Sequence, residues 1–164
     1  MRSIVLVSLW AFLLVSCAGS DFGSAGALSA EQKKSLHLVG VTAETTRDVT
    51  MEKEALDRIV KRITADIMAE APNIFAQPQG DAPALTMKLV FTDYGNGDHA
   101  SRYERRNVGT TRIDADILFL DMSGKVVARE QVATHFGSGG DVGLTTNILN
   151  VEDDFEMTVA RLVR

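Results

Sequence analysis

Residues Thr111–Thr134, TRIDADILFLDMSGKVVAREQVAT, decide the fold of this chain. Ile113, Ala115, Ile117 and Phe119 fall on one side of a period-two pattern, and Arg112, Asp114, Asp116 and Leu118 on the other. That alternation is a strand with one face buried. Asp121-Met122-Ser123-Gly124 then reads as a four-residue hairpin loop with Gly124 at a positive-φ position, and Lys125–Thr134 as the returning strand. The loop sets Leu120 opposite Lys125 and Asp116 opposite Arg129, with Phe119–Val126 and Ile117–Ala128 on the core side. Glu130 then points inward opposite Ala115, a place for a bulge.

Upstream, Leu85, Met87, Leu89 and Phe91 alternate with Thr86, Lys88, Val90 and Thr92, so a further half-buried strand precedes the hairpin. Every proline lies between Pro72 and Pro83, which makes that segment a loop. Before it, Leu56, Ile59, Ile63 and Ile67, joined by Val60 and Met68, make an apolar helical stripe. Thr50 is the expected cap, Glu52 and Glu54 meet the positive helix end, and Glu54–Arg58 and Asp57–Lys61 are i,i+4 pairs. Leu36–Ala43 reads as a first strand. At the C-terminal end, Ile148, Val151, Phe155, Val159 and Leu162 form a second helical stripe. The expectation is a two-layer α+β domain: an antiparallel sheet of about four strands with two helices on one face, in the order β-α-β-β-β-α.

The first seventeen residues belong to no such pattern. Arg2, an apolar run from Ile4 to Val15 and then Leu14-Val15-Ser16-Cys17 describe an export signal whose end resembles the bacterial lipobox. The resemblance implies cleavage before Cys17 and its lipidation. Removing residues 1–16 of 164 leaves 148, with Arg2 the only charge lost and Trp10 the only tryptophan. The expected organisation is residues 1–16 signal peptide, 17–33 lipidated Cys and a Gly/Ser/Ala tether, and 34–164 a single domain. Ala18 rather than Asp after Cys17 implies, by Gram-negative sorting, an outer-membrane lipoprotein facing the periplasm. Cys17 is the only cysteine, so no disulfide forms within the chain.

Chemistry-bearing patterns are sparse. The net charge of −5 argues against a nucleic-acid surface. The loop GSGGDVG, 137–143, lacks the lysine-hydroxyl ending of a phosphate loop. Asp114 and Asp116 share a strand face and could serve acid–base chemistry or a hard cation, but Arg112, Lys88 and Arg129 make a charge-laced solvated face the simpler reading. His37, His99 and His135 have no metal-ligand spacing, so neither metal nor cofactor is expected. Arg102-Tyr103-Glu104-Arg105-Arg106 differs in kind: an acidic chain gathers three arginines and a tyrosine in one exposed loop. Arg102, Tyr103, Arg105 and Arg106 suit a protein interface or phosphate-bearing headgroups, against the plainer alternatives of a solvated connection or a structural role. Leu118, Val127 and Val90 could extend that contact across the sheet face.

Phe91-Thr92-Asp93-Tyr94, the Gly95/Gly97 turn, Ala100-Ser101-Arg102-Tyr103, Val108-Gly109 and the Leu120–Lys125 hairpin together resemble domain of unknown function 4410, small lipoproteins of Gram-negative bacteria. The resemblance runs from Leu36 to the C-terminus and departs at Glu104-Arg105-Arg106-Asn107. It implies a fold and an envelope location and brings no reaction. The function expected is a membrane-anchored, non-enzymatic interaction module with an envelope protein partner; the alternative is a small-ligand or lipid-binding lipoprotein.

Overall fold

In the computed structural model, the residues described are 25–76, 84–95, 111–136 and 148–164. Strand β1 is His37–Thr45, helix α2 Lys53–Glu70, β2 Ala84–Gly95, β3 Thr111–Leu120, β4 Val126–Phe136 and helix α3 Ile148–Arg161. A short helix, α1, occupies Ala30–Lys34. The α+β arrangement is the one expected. The strands lie in chain order, β1-β2-β3-β4, and form one sheet.

The sheet is mixed rather than wholly antiparallel. The β2–β3 and β3–β4 pairs are antiparallel, whereas β1 pairs with β2 in parallel. The cause is the connection: β1 reaches β2 through α2, and a helical crossover returns the chain to the same end of the sheet. β1, β2 and β4 therefore run in one direction, and α2 and α3, which follow β1 and β4, both run back the other way. The two helices are parallel, which places Arg58 against Glu152, Arg62 against Glu156 and Glu70 against Arg164 at a constant offset of 94 residues.

The alternations and stripes predict the core well. Leu85, Met87, Leu89 and Phe91 of β2 and Ile113, Ala115, Ile117 and Phe119 of β3 are buried against Ile59, Ile63 and Ile67 of α2 and Val151, Phe155 and Val159 of α3. Each fully buried large apolar side chain contributes about 2 kcal/mol by removal from water. The Phe91 and Phe155 rings join sheet to helix at 5.6 Å between centroids. Met68 is the exception in the α2 stripe, half-exposed because Ala55, not Met68, completes the buried face.

Three local expectations are corrected. First, α2 begins at Lys53 with Glu52 as its cap residue, and no side chain caps it. Val49 and Met51 pack against the core and hold the approach extended, so Thr50 falls short of the helix. Second, Arg58 takes its partner from α3 instead of Glu54, and Asp57 pairs with Lys53 rather than Lys61.

Third, the hairpin register slips by two residues. Gly124, at φ 84°, donates its N–H to the Asp121 carbonyl, and Asp121 N–H donates to Lys125. Asp121 Oδ1 accepts from the Ser123 hydroxyl, from Lys125 N–H and from Ser123 N–H, which holds the carboxyl below its ordinary range. With this glycine bulge and a further irregularity at Phe119/Leu120, Phe119 faces Ala128 and Ile117 faces Glu130. Up to Phe119 the slip of two preserves each side chain's face, so Ala128 and Val132 remain inward and the core survives, whereas Val126, expected inward, pairs with Leu120 and Val127 packs against the core instead.

The N-terminal described segment packs on the domain. Arg129 N–H donates to the Gly26 carbonyl at 3.1 Å, and Leu28 is buried in the core. Ser29 caps α1 through a reciprocal pair, Gln32 N–H to Ser29 Oγ and Ser29 N–H to Gln32 Oε1.

Candidate functional site

Among the described residues, the α2–α3 seam gathers the fully buried charge. Glu152 and Glu156 lie one turn apart on the flank of the α3 stripe, and both are buried, at 0% and 1% exposure. Burial of two carboxylates on one helix demands partners. Glu152 has them. Arg58 binds it through Nη2 at 2.8 Å and Nε at 3.1 Å, a fork geometry, and Tyr94 Oη donates to Glu152 Oε1 at 2.6 Å from the end of β2. Burial and the bond to Glu152 push the Tyr94 phenol up, so it stays a donor at any physiological pH.

Glu156 is held differently. Arg62 Nε approaches its Oε2 at 2.9 Å, but neither carboxyl oxygen accepts a hydrogen bond although both are buried. The guanidinium of Arg62 is aimed instead at Asp153, to which Nη2 donates. An ion pair without hydrogen bonds offsets burial poorly. Burial raises the Glu156 carboxyl to about 7, Arg62 opposes the rise, and Glu152, Asp153 and Asp66 add to it. Around Glu156 stand Arg62 and Asp66 on α2 and Glu152 and Asp153 on α3, with Arg58 contributing at longer range. Glu156 thus exchanges a proton near neutrality, whereas Glu152, one turn away, is clamped by Arg58 and Tyr94.

The outer sheet face is organised in rows. Lys88, Leu118 and Arg129 face one another across β2, β3 and β4, and Val90, Asp116 and Gln131 form the next row. Arg129 reaches diagonally to Asp116 at 2.8 Å, and Lys88 to Glu44 at 2.8 Å. Leu118, opposite Lys88 on one side and Arg129 on the other, is 3% exposed and so is no part of an open apolar surface, contrary to the sequence expectation. Arg112 pairs with Asp114 and lies 3.6 Å from Asp93. Asp114 and Asp116 are therefore each held by an arginine, and one oxygen of each is buried without a hydrogen bond.

Cys17, His99, Arg102, Tyr103, Arg105, Arg106 and the loop 137–143 lie outside the described residues. His37 and His135 stand on β1 and β4, the two outermost strands, so the fold does not bring them together. Sequence reasoning missed Glu152 and Glu156. The available signal was their spacing of four beside Val151 and Phe155, matched by Arg58 and Arg62 at the same spacing on the other helix.

No family model matches the chain, and no curated protein matches it. Among solved structures, it is similar to a point variant of the PelC dodecamer from Paraburkholderia phytofirmans, at 13% identity over 86% of this chain and 92% of that one, with TM-score 0.53. A Xanthomonas campestris protein of family DUF330 matches at 12% identity, covering 85% of each chain, with TM-score 0.48. A Caulobacter crescentus CB15 chain provisionally classed as a lipoprotein matches at 14% identity over 82% of this chain and 94% of that one, with TM-score 0.40. These likenesses concern the fold.

Proposed function

We propose that the chain is an outer-membrane lipoprotein, acylated at Cys17 and facing the periplasm, that acts without catalysis as an interaction module in an envelope assembly. The observation that carries this reading is the junction between signal and domain. The lipobox cysteine stands only nine residues before Gly26, whose carbonyl is bonded to Arg129 on β4. A segment of that length spans about 30 Å fully extended. The domain is therefore held against the bilayer, within reach of other envelope components and little else.

Two further facts support the interaction part. Asp114 and Asp116, the carboxylates a reaction would draw on, are engaged by Arg112 and Arg129. Arg102, Tyr103, Arg105 and Arg106 supply residue types that concentrate binding energy at interfaces. The likeness to a chain that assembles as a dodecamer makes a second copy the first partner to test.

Photo-crosslinking in intact cells tests the reading, with a probe at Tyr103 and a control probe at Thr86 on the sheet. The expected result is a discrete protein adduct at Tyr103 alone, a multiple of the chain's own mass if the partner is a second copy. Adducts at neither position would overturn the interaction module, and lipid adducts would favour a lipid-binding lipoprotein. Cys17→Ser should abolish membrane fractionation; a variant that still sediments with membranes would remove the anchor.

A further inference from the structure

The shallow groove of about 460 Å³ beside the N-terminal strap is lined by Leu28, Ala30, Lys33, Lys34 and Arg164. Three of its five lining residues are cationic on a chain whose net charge is −5. Arg164 is shared with Glu70 at 3.2 Å, whereas Lys33 and Lys34 have no acidic side chain within ion-pair distance among the described residues. Leu28 is the buried pin that fixes this surface to the core, and Gly26, two residues earlier, is bonded to β4.

We infer that this basic groove is the membrane-facing surface of the domain and rests on anionic phospholipid headgroups. The inference builds on the anchoring at Cys17 proposed above. Its own warrant is chain length combined with charge. The segment from Cys17 to Gly26 is nine residues long and so reaches at most about 30 Å, and the lysines follow within one short helix of the point where the chain docks. The lysine side chains are thus the first cations that follow the anchor in the chain, and they act on the bilayer where they come within the Debye length of about 10 Å. Each lysine or arginine near an anionic surface strengthens contact roughly fivefold.

The test uses the lipidated full chain in lipid nanodiscs. Cys17 is the only cysteine, and in the anchored chain lipid blocks its sulfur, so an introduced cysteine takes a fluorophore alone. One label goes at Ser35→Cys beside the groove. The other goes at Glu54→Cys, roughly 24 Å away along α2 from Glu70 at the groove end. A headgroup-borne quencher should quench the Ser35 position more strongly in discs containing phosphatidylglycerol than in pure phosphatidylcholine, and leave the Glu54 position unchanged. Lys33→Gln with Lys34→Gln should weaken the contact roughly 25-fold, as should high salt. The double variant leaves the Arg164–Glu70 pair intact, and an unchanged thermal transition verifies its fold. Equal quenching in both lipids, or quenching indifferent to the lysines, overturns the inference while anchoring stands. Failure of the chain to enter discs overturns the anchoring, and the groove's orientation with it.

Discussion

Replacing Glu156 by Gln should stabilise the domain at pH 8 and do little at pH 5. Glu156 is 1% exposed, accepts no hydrogen bond and faces a guanidinium committed to Asp153. Its carboxyl sits at about 7 in the folded protein, against 4.5 for an ordinary glutamate. A difference of that size corresponds to about 3 kcal/mol. Because the folded value lies above the unfolded one, the associated stability is fully present below pH 4.5 and is lost as pH rises through about 7. Gln carries no proton to lose, so the variant keeps what the wild type gives up. Urea unfolding of both proteins at pH 5 and pH 8 measures this, and carboxylates common to the two cancel in the difference. The stability of Glu156→Gln relative to wild type should rise by about 2–3 kcal/mol between the two pH values, with an unchanged denaturant slope. If the gap fails to widen, or the variant is the less stable at pH 8, the Arg62 ion pair outweighs burial and the reasoning is refuted.

Removing a partner of the neighbouring Glu152 should instead destabilise the domain. Arg58→Ala leaves Glu152 buried with Tyr94 alone and should cost about 3 kcal/mol at neutral pH, read by chemical denaturation. Tyr94→Phe removes one bond to that charge and should cost about 1–2 kcal/mol, and a larger loss would mean that the phenol is the principal clamp. Phe155→Ala opens a void beneath Phe91 and should lower stability by about 3–5 kcal/mol in the same assay. Gly124→Ala meets no steric obstacle but must adopt φ 84°, so about 1 kcal/mol should be lost through backbone strain alone.

The periodic patterns determined where the four strands and the two long helices, though not the short α1, lie and which face each buries. Residues 85–91 and 113–119 alternate, and 59, 63 and 67 recur by turns, because side-chain direction depends only on the local backbone. The hairpin at Asp121–Gly124 was legible for the same reason, and a slip of two residues left the faces of Ala128 and Val132 intact while the bulge beside the turn exchanged Val126 for Val127. Tertiary structure alone decided that β1 runs parallel to β2, since direction follows from where the helix between them returns the chain. That choice makes α2 and α3 parallel and draws Arg58 and Arg62 across 94 residues to Glu152 and Glu156, away from nearer acids on their own helix. A glutamate beside an apolar stripe reads as a wet flank until a second helix covers it. Whether it is then clamped, like Glu152, or left to titrate near neutrality, like Glu156, depends on where the guanidinium of the other helix is aimed, which local sequence does not encode.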